Sequence, residues 1–277
     1  MSKLQIAGLV VLVTLVAGVA AGGIGAGMAT AVTKAAGVAP APDPTPDHVV
    51  ESAVLGERRR VEVALPAGYA ATPEARYPLL VTLDGPDHLA HSAHSADALA
   101  TLDLGPETIV AAVRNEPGRR DRDLLPPADG APSGQADRFL AFLADELRPA
   151  LDSLYRTDGT AALAGHSYGG TFATYAWLER PDAFDAVFAF SPSFWVADEA
   201  LLDRLEKEPP DARGALYLAV GGDEGREMQG TFARAEAILA AAPPALRWQA
   251  DTVPHADHGS APRRATPLAL RFWAEGR

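Results

Sequence analysis

The sequence predicts an α/β fold with a mostly parallel central sheet and helices on both of its faces. Short, nearly uniform apolar runs of strand length alternate with longer segments in which apolar residues recur at helical spacing. Such alternation is typical of parallel strands joined by helices and buried on both faces. With 277 residues, 48% of them hydrophobic, the chain is large enough to build a full globular core.

The elements are predicted in the following order. Two early strands, over 49–54 and 58–65, are expected to pair antiparallel. Further strands are predicted for the later apolar runs, over 79–83, 108–113, 160–164, 186–190, 215–221 and 246–253. Helices are predicted where apolar residues follow helical spacing, over 136–155, 171–178, 226–241 and 266–275. No internal repeat or second domain boundary interrupts this pattern, so one globular domain is expected over 48–277.

The first 47 residues read as a leader and a spacer. Lys3 is the only charged residue before Lys34, and the apolar stretch over 4–32 is long enough to cross a bilayer. Residues 1–34 are therefore predicted to be a signal peptide, with Ala29-Thr30-Ala31 as one cleavage site, or an uncleaved N-terminal membrane anchor. Residues 35–47 form a Pro-rich linker. Both interpretations predict export, either secreted or periplasmic, or tethered at the outer face of the cytoplasmic membrane.

The most informative motif is Gly165-His166-Ser167-Tyr168-Gly169, which has the form Gly-x-Ser-x-Gly. A buried strand is predicted before it and a helix after it, and strand, sharp turn and helix are the context of a nucleophile elbow. Gly165 and Gly169, two positions before and after the serine, permit the tight turn. The turn exposes the Ser167 hydroxyl at a helix N-terminus, which favours developing negative charge.

A nucleophilic serine needs a base, and the base needs an orienting acid. In hydrolases with this elbow the chain order is serine, acid, histidine. After the strand over 215–221, the next loop offers two carboxylates, Asp223 and Glu224. After the following strand come His255 and His258, of which His258 is favoured because it sits deeper in the loop and precedes Gly-Ser.

Five segments in the same order resemble the motifs of one family: 77–85 ending in Leu-Asp-Gly, 115–126, the elbow 165–170, 191–195 with Ser-Pro-Ser-x-Trp, and 258–260. On these motifs the chain resembles the putative esterase family of α/β-hydrolases, in its enterochelin esterase-like branch. The resemblance implies an α/β-hydrolase fold without a separate lid domain. It also selects Glu224 over Asp223 as the acid.

An oxyanion hole is expected to use the backbone N–H of Tyr168 and a second N–H from the loop after Leu83-Asp84-Gly85. In relatives the residue after this glycine often donates, but here it is Pro86, which has no N–H. Gly85 or Asp87 is therefore expected to supply the second donor.

His88, His166 and Trp195 are expected to line the substrate pocket, Trp195 by the resemblance and His88 because it follows the oxyanion strand. The spacing of His88, His91 and His94, followed by Asp97, would also suit a metal site on a helix, but a solvated or pocket-lining surface is the more common role of such a pattern. We therefore predict no metal. Arg122 and Asp123 are expected to brace the active-site loops.

The composition excludes several classes. A net charge of −12 disfavours nucleic acid and acidic membranes as partners, and the absence of cysteine excludes disulfides, thiolate metal sites and a catalytic thiol. The resemblance implies a serine esterase without a cofactor, acting on a small-molecule ester such as a siderophore lactone or another small acyl ester, and the N-terminal segment predicts that it is exported. Acyl transfer, hydrolysis of carbohydrate-linked acetyl or feruloyl esters, and a weakly active binding module on a hydrolase fold stay open as alternatives. The sequence does not specify an oligomeric state.

Overall fold

The computed structural model describes residues 48–127, 134–207, 214–242 and 244–277. Within them, the strands form one sheet in the order β1-β2-β4-β3-β5-β6-β7-β8. The strands of this sheet are β1 His48–Ser52, β2 Glu57–Ala64, β3 Tyr77–Thr82, β4 Ile109–Val113, β5 Thr157–His166, β6 Ala186–Phe190, β7 Ala215–Gly221 and β8 Trp248–Val253. β1 pairs antiparallel with β2 and β2 with β4, whereas all pairs from β4 to β8 are parallel. The predicted fold class is confirmed.

Helices cover both faces of the sheet. They are α1 Pro86–Thr101, α2 Arg120–Leu124, α3 Ala136–Ala141, α4 Arg148–Leu154, α5 Tyr168–Glu179, α6 Ala200–Lys207, α7 Arg226–Ala241 and α8 Ala261–Ala274. On one face α1 and α8 bury side chains such as Leu89 and Trp273. On the other face the core contains Phe139, Phe172 and Phe232 from α3, α5 and α7. The central strands are therefore buried on both sides, which explains why they are apolar at nearly every position.

Several element boundaries differ from the sequence prediction. The helix predicted over 136–155 is α3, a π-helical turn over Phe142–Leu147, and α4, which ends at Leu154. Pro149 explains the interruption because its ring nitrogen cannot donate to a carbonyl one turn earlier. The last helix begins at Ala261 rather than 266, with Pro262 in its first turn, where proline is favoured. β5 is also longer than the predicted 160–164.

Three helices were missed by the sequence prediction. α1 is rich in Ala, His and Ser, so its apolar stripe is weak, although Pro86 at its first position is a start signal. α2 is only five residues long and mostly charged. α6 has a clear apolar side formed by Leu201, Leu202 and Leu205.

The described residues contain no separate lid domain above the sheet, as expected. No helix in these same ranges is long and apolar enough to cross a membrane. The predicted leader over 1–34 and linker over 35–47 lie outside the described residues.

Candidate active site

Ser167 occupies a sharp turn between β5 and α5. Its backbone has φ 59° and ψ −120°, a conformation that a residue with a side chain seldom adopts. Such a residue stores about 1–3 kcal/mol of strain, which the surrounding structure must offset. The Ser167 N–H donates to the carbonyl of Phe190 on the neighbouring strand at 3.0 Å, and this bond fixes the turn to the sheet.

The glycines around Ser167 are required by close backbone approaches. A Cβ atom on Gly165 would lie 2.1 Å from the carbonyl oxygen of Gly169. A Cβ atom on Gly170 would lie 2.9 Å from the carbonyl oxygen of Phe190. The turn therefore cannot close in this form with larger residues at these two positions, and it presents the Ser167 hydroxyl at the start of α5.

His258 and Glu224 form a hydrogen-bonded pair beside this turn. The Nδ1 atom of His258 lies 2.7 Å from Oε2 of Glu224, and the Glu224 side chain is only 2% exposed. The His258 ring centroid lies 4.4 Å from that of His166, the residue that precedes Ser167. The structure thus brings the histidine loop after β8 and the acid loop after β7 to the elbow after β5, at the carboxyl edge of the parallel strands.

The environment of Glu224 keeps it ionised. Burial alone would raise the pKa of this carboxyl, but hydrogen bonds from His258, the Ser191 hydroxyl and the Gly221 N–H outweigh burial and lower its pKa below the ordinary value. Ser191 Oγ donates to Oε1 at 2.6 Å and the Gly221 N–H donates to the same oxygen at 2.7 Å. The carboxylate is therefore held by donors on both oxygens.

The alternative acid and the alternative histidine make no part of this hydrogen-bonded pair. Asp223 is exposed, and its N–H donates to the carbonyl of Ala256. His255 is also exposed, and its carbonyl accepts a hydrogen bond from Arg264 at 2.6 Å. In this geometry Glu224, rather than Asp223, faces His258.

Two serines of the site were not assigned a role from the sequence. Ser191 anchors Glu224, and Ser193 Oγ lies 3.3 Å from Ser167 Oγ. Both serines are fully buried. The Ser-Pro-Ser-x-Trp segment was visible as a motif, but only the three-dimensional arrangement assigns its two hydroxyls to different partners.

The donors expected for an oxyanion hole require one correction. The Tyr168 N–H belongs to the first turn of α5, where N–H groups have no intrahelical acceptor. The Gly85 N–H is not available because it donates to the carbonyl of Val113 at 2.9 Å. Asp87 lies in the first turn of α1, so its N–H also lacks an intrahelical acceptor. Of the two candidate donors after β3, Gly85 and Asp87, only Asp87 therefore remains.

Three histidines pack behind this edge of the sheet. Nδ1 of His88 and Nε2 of His91 are 2.9 Å apart, and the His88 ring also contacts the His166 ring at 5.7 Å between centroids. Burial is the main cause that lowers the pKa of each of the three, to about 4 for His91 and His166, so all three are neutral at physiological pH. His94 is exposed, and its Nδ1 bonds to the carbonyl of Ala90. In the part of the chain that the structure describes, no group of three potential ligands could hold a metal ion.

One cleft borders the site and another lies beside α5. The first, of about 450 Å³, is lined by His258, Glu224, Trp195 and Met228 among others. The second, of about 670 Å³, runs along α5 from Thr171 and is lined mainly by apolar side chains. Trp195 thus lines the same cleft as His258, whereas His88 and His166 lie in the histidine cluster.

Arg122 and Asp123 do not brace the active-site loops. Asp123 pairs with Arg59 at 2.6 Å, both side chains fully buried, and Arg122 pairs with Glu57 at 2.5 Å. Both partners belong to β2, so these ion pairs attach the loop after β4 to the antiparallel edge of the sheet. The residue of this segment that contacts the elbow is Arg120, whose Nη2 lies 3.3 Å from the carbonyl oxygen of His166.

The sheet order, the strained serine turn and the adjoining histidine–carboxylate pair define an α/β-hydrolase. The family model described as "Putative esterase" matches residues 52–261, and the chain belongs to this family. The predicted family and fold are confirmed.

Individual relatives are similar to parts of the chain. A segment of 81 residues is 46% identical to the siderophore triacetylfusarinine C esterase of Aspergillus fumigatus and covers 28% of each chain. A segment of 100 residues is 41% identical to the siderophore enterobactin esterase of Emericella nidulans and covers 30% of this chain and 33% of that protein. These matches span only about a third or less of either curated relative. The crystal structure of an IroE-like serine hydrolase from Shewanella oneidensis superimposes with a TM-score of 0.71 at 29% identity, over 83% of this chain and 80% of that one.

Proposed function

We propose that this protein is a serine esterase that hydrolyses carboxylic esters through Ser167, His258 and Glu224. The observation that carries the proposal is the hydrogen-bonded His258–Glu224 pair, 2.7 Å between Nδ1 and Oε2, next to the strained serine turn. A carboxylate on Nδ1 leaves the Nε2 lone pair free to accept a proton, and this is the tautomer that a general base requires. Membership of the Putative esterase family supports the same chemistry.

The proposed reaction has two halves. Ser167 Oγ attacks the ester carbonyl carbon while His258 Nε2 takes the hydroxyl proton. The tetrahedral intermediate then collapses, the C–O bond to the alcohol breaks, and His258 returns the proton to the leaving oxygen. Water deprotonated by His258 attacks the acyl-enzyme in the same way, which releases the acid and regenerates Ser167. The Tyr168 and Asp87 N–H groups stabilise the negative charge on the carbonyl oxygen in both halves.

The substrate class that we propose is an ester bond of a siderophore. Two relatives with 46% and 41% identity over their matched segments are named as siderophore esterases, and this supports the choice. The cleft of about 450 Å³ beside His258 has the size of a small-molecule site, with Trp195 and Met228 as apolar walls. A fold shared with other esterases would by itself be a weak argument for substrate.

A substrate panel tests this proposal. Triacetylfusarinine C, enterobactin, a feruloyl ester, an acetylated carbohydrate and p-nitrophenyl acetate are incubated with the wild type and with Ser167→Ala, and the released acids and alcohols are measured. We expect the siderophore esters to have the highest kcat/KM and the variant to be inactive on all of them. Preferred turnover of the feruloyl or acetyl ester would refute the substrate class but keep the chemistry. Absence of turnover of every ester would refute the enzymatic function.

We further propose that the domain over 48–277 acts outside the cytoplasmic membrane. The uncharged apolar stretch over 4–32 and the Pro-rich segment over 35–47 support a cleaved signal peptide or a retained anchor followed by a spacer.

A further inference from the structure

One arginine joins the two segments that would supply the oxyanion donors. Arg120 Nε donates to Asp84 Oδ1 at 2.6 Å, and Nη2 donates to Asp84 Oδ2 at 3.0 Å. This is a two-pronged guanidinium–carboxylate bond, which fixes orientation as well as distance. The same Nη2 lies 3.3 Å from the carbonyl oxygen of His166 in the elbow. Arg120 therefore contacts the loop after β3 and the turn after β5 at once.

Asp84 is held in an unusual conformation at the base of the loop that leads to Asp87. Its φ is 62°, and its carboxylate also accepts a hydrogen bond from Asn115 Nδ2 at 2.5 Å. A Cβ atom on Gly169 would lie 3.1 Å from Asp84 Oδ2, so the carboxylate sits against the backbone of α5. The Asp84 side chain thus lies between the loop after β3 and the start of α5.

The guanidinium of Arg120 also faces the Tyr168 ring. The Arg120 Cζ atom lies 5.4 Å from the centroid of the Tyr168 ring, within the range of a cation–π contact. Tyr168 is the residue whose N–H begins α5. The Arg120 side chain is 35% exposed and that of Asp84 is 11% exposed, so the pair is shielded in part from water.

We infer that Arg120 is a positioning residue that sets the spacing between the Tyr168 and Asp87 N–H groups. The inference rests on the proposed function, because it concerns the oxyanion hole of that reaction. Pro86 cannot donate and the Gly85 N–H is bonded to the Val113 carbonyl, so the second donor is Asp87, the second residue of α1 and two residues beyond Gly85. The Arg120–Asp84 bond supplies the rigidity that this longer path requires. A misplacement of about 1 Å at such a site can cost about 10²-fold in rate.

The test is a set of charge-removing variants with a matched control. Arg120→Gln and Asp84→Asn are expected to lower kcat on p-nitrophenyl acetate by about 10²-fold, with KM little changed, because the contact acts on the transition state. The losses of the two single variants should not add in the double variant, because both changes break the Arg120–Asp84 bond. Arg120→Lys should recover only part of kcat, since a lysine cannot form the two-pronged bond.

Arg122→Gln is the control. Arg122 lies two residues along the same short helix and also pairs with a carboxylate, Glu57, but it points to β2 rather than to the elbow. This variant is expected to lower the thermal unfolding temperature and to leave kcat within about twofold, as for a change remote from the reacting atoms.

Binding of an aryl boronic acid, which forms a tetrahedral adduct with the serine, separates a positioning role from a structural one. Its affinity should fall in Arg120→Gln in parallel with kcat/KM, at a temperature where circular dichroism shows the variant to be folded. An unchanged kcat and boronate affinity would overturn the inference, and a rise in KM at constant kcat would instead assign Arg120 to substrate binding. Failure of the wild type to hydrolyse any ester would refute the proposed function, a result distinct from either.

Discussion

The His258–Glu224 pair makes the sharpest prediction, through the substitution Glu224→Gln. The variant keeps the shape of the side chain and replaces one carboxylate oxygen by an NH₂ group. In the wild type, one oxygen accepts from His258 and the other accepts from Ser191 and from the Gly221 N–H. An amide has only one acceptor oxygen, so it cannot satisfy both sets of donors.

The preferred orientation of the amide determines the effect on catalysis. If its oxygen stays on the Gly221 N–H, its NH₂ faces His258 Nδ1, which must then be unprotonated. The ring proton moves to Nε2, the atom that has to accept the Ser167 proton, and the base is disabled. If the amide flips, its NH₂ opposes the Gly221 N–H, which is a donor only. We expect kcat to fall by about 10²- to 10⁴-fold, equivalent to about 2.7–5.4 kcal/mol of transition-state stabilisation.

Asp223→Asn is the matched control because it removes the neighbouring charge from an exposed side chain, whereas the hydrogen bond to His258 comes from Glu224. Steady-state hydrolysis of p-nitrophenyl acetate by both variants, normalised to the folded fraction, gives the comparison. The kcat of Asp223→Asn should remain within about threefold of the wild type, because Asp223 lines the cleft beside His258 but does not bond to its ring. A larger loss in Asp223→Asn than in Glu224→Gln would refute the assignment, and no loss in either would indicate that Ser167 and His258 act without an acid.

Three further predictions follow from the same geometry and from the sequence. Because the pKa of Glu224 is lowered in the folded protein, its ionised carboxylate stabilises the fold at every pH above the ordinary glutamate pKa. This stabilisation is lost as the pH falls through the lowered pKa of the folded state. The stability advantage of the wild type over Glu224→Gln, measured by urea unfolding, should therefore be full at neutral pH and shrink in acid; an advantage that grows in acid would contradict the shift. Gly165→Ala should lower the free energy of unfolding by about 1–3 kcal/mol or more because its Cβ meets the Gly169 carbonyl, whereas Gly230→Ala, with open space around it, should be neutral or stabilising. In cell fractionation, a cleaved protein should appear in the medium or periplasm with a mature N-terminus between about residues 21 and 32, and an anchored protein should appear in the membrane fraction with an intact N-terminus. A version starting at residue 48 should be soluble and active. Full-length protein in the cytosol with an intact N-terminus would contradict export.

The sequence predicted the fold class and the region of the site because these depend on local and periodic signals. Nearly uniform apolar runs identified the buried strands, and the glycine pattern around Ser167 identified the turn. The interruption of the helix at Phe142–Leu147 was missed because the apolar stripe continues across it, even though Pro149 changes the backbone there. α1 was missed because Ala, Ser and His side chains give only a weak stripe.

The finer features of the site depend on contacts between distant segments, which periodicity does not report. The choice between Asp223 and Glu224 came from family resemblance, and the hydrogen bond to His258 supplies a geometric reason for it. Gly85 was a reasonable donor on sequence, but pairing of its N–H with Val113 removes it. Arg120, rather than the neighbouring Arg122, contacts the elbow, and no sequence pattern distinguishes the two.

The most direct test of the central claim is to identify the residue that reacts with a fluorophosphonate probe. Intact-mass measurement followed by peptide mapping should give one adduct per chain, on Ser167. The adduct should be absent from Ser167→Ala and form far more slowly in His258→Ala, since the probe requires an activated hydroxyl. An adduct on another residue, or wild-type ester turnover by Ser167→Ala, would contradict the assignment of Ser167 as the nucleophile.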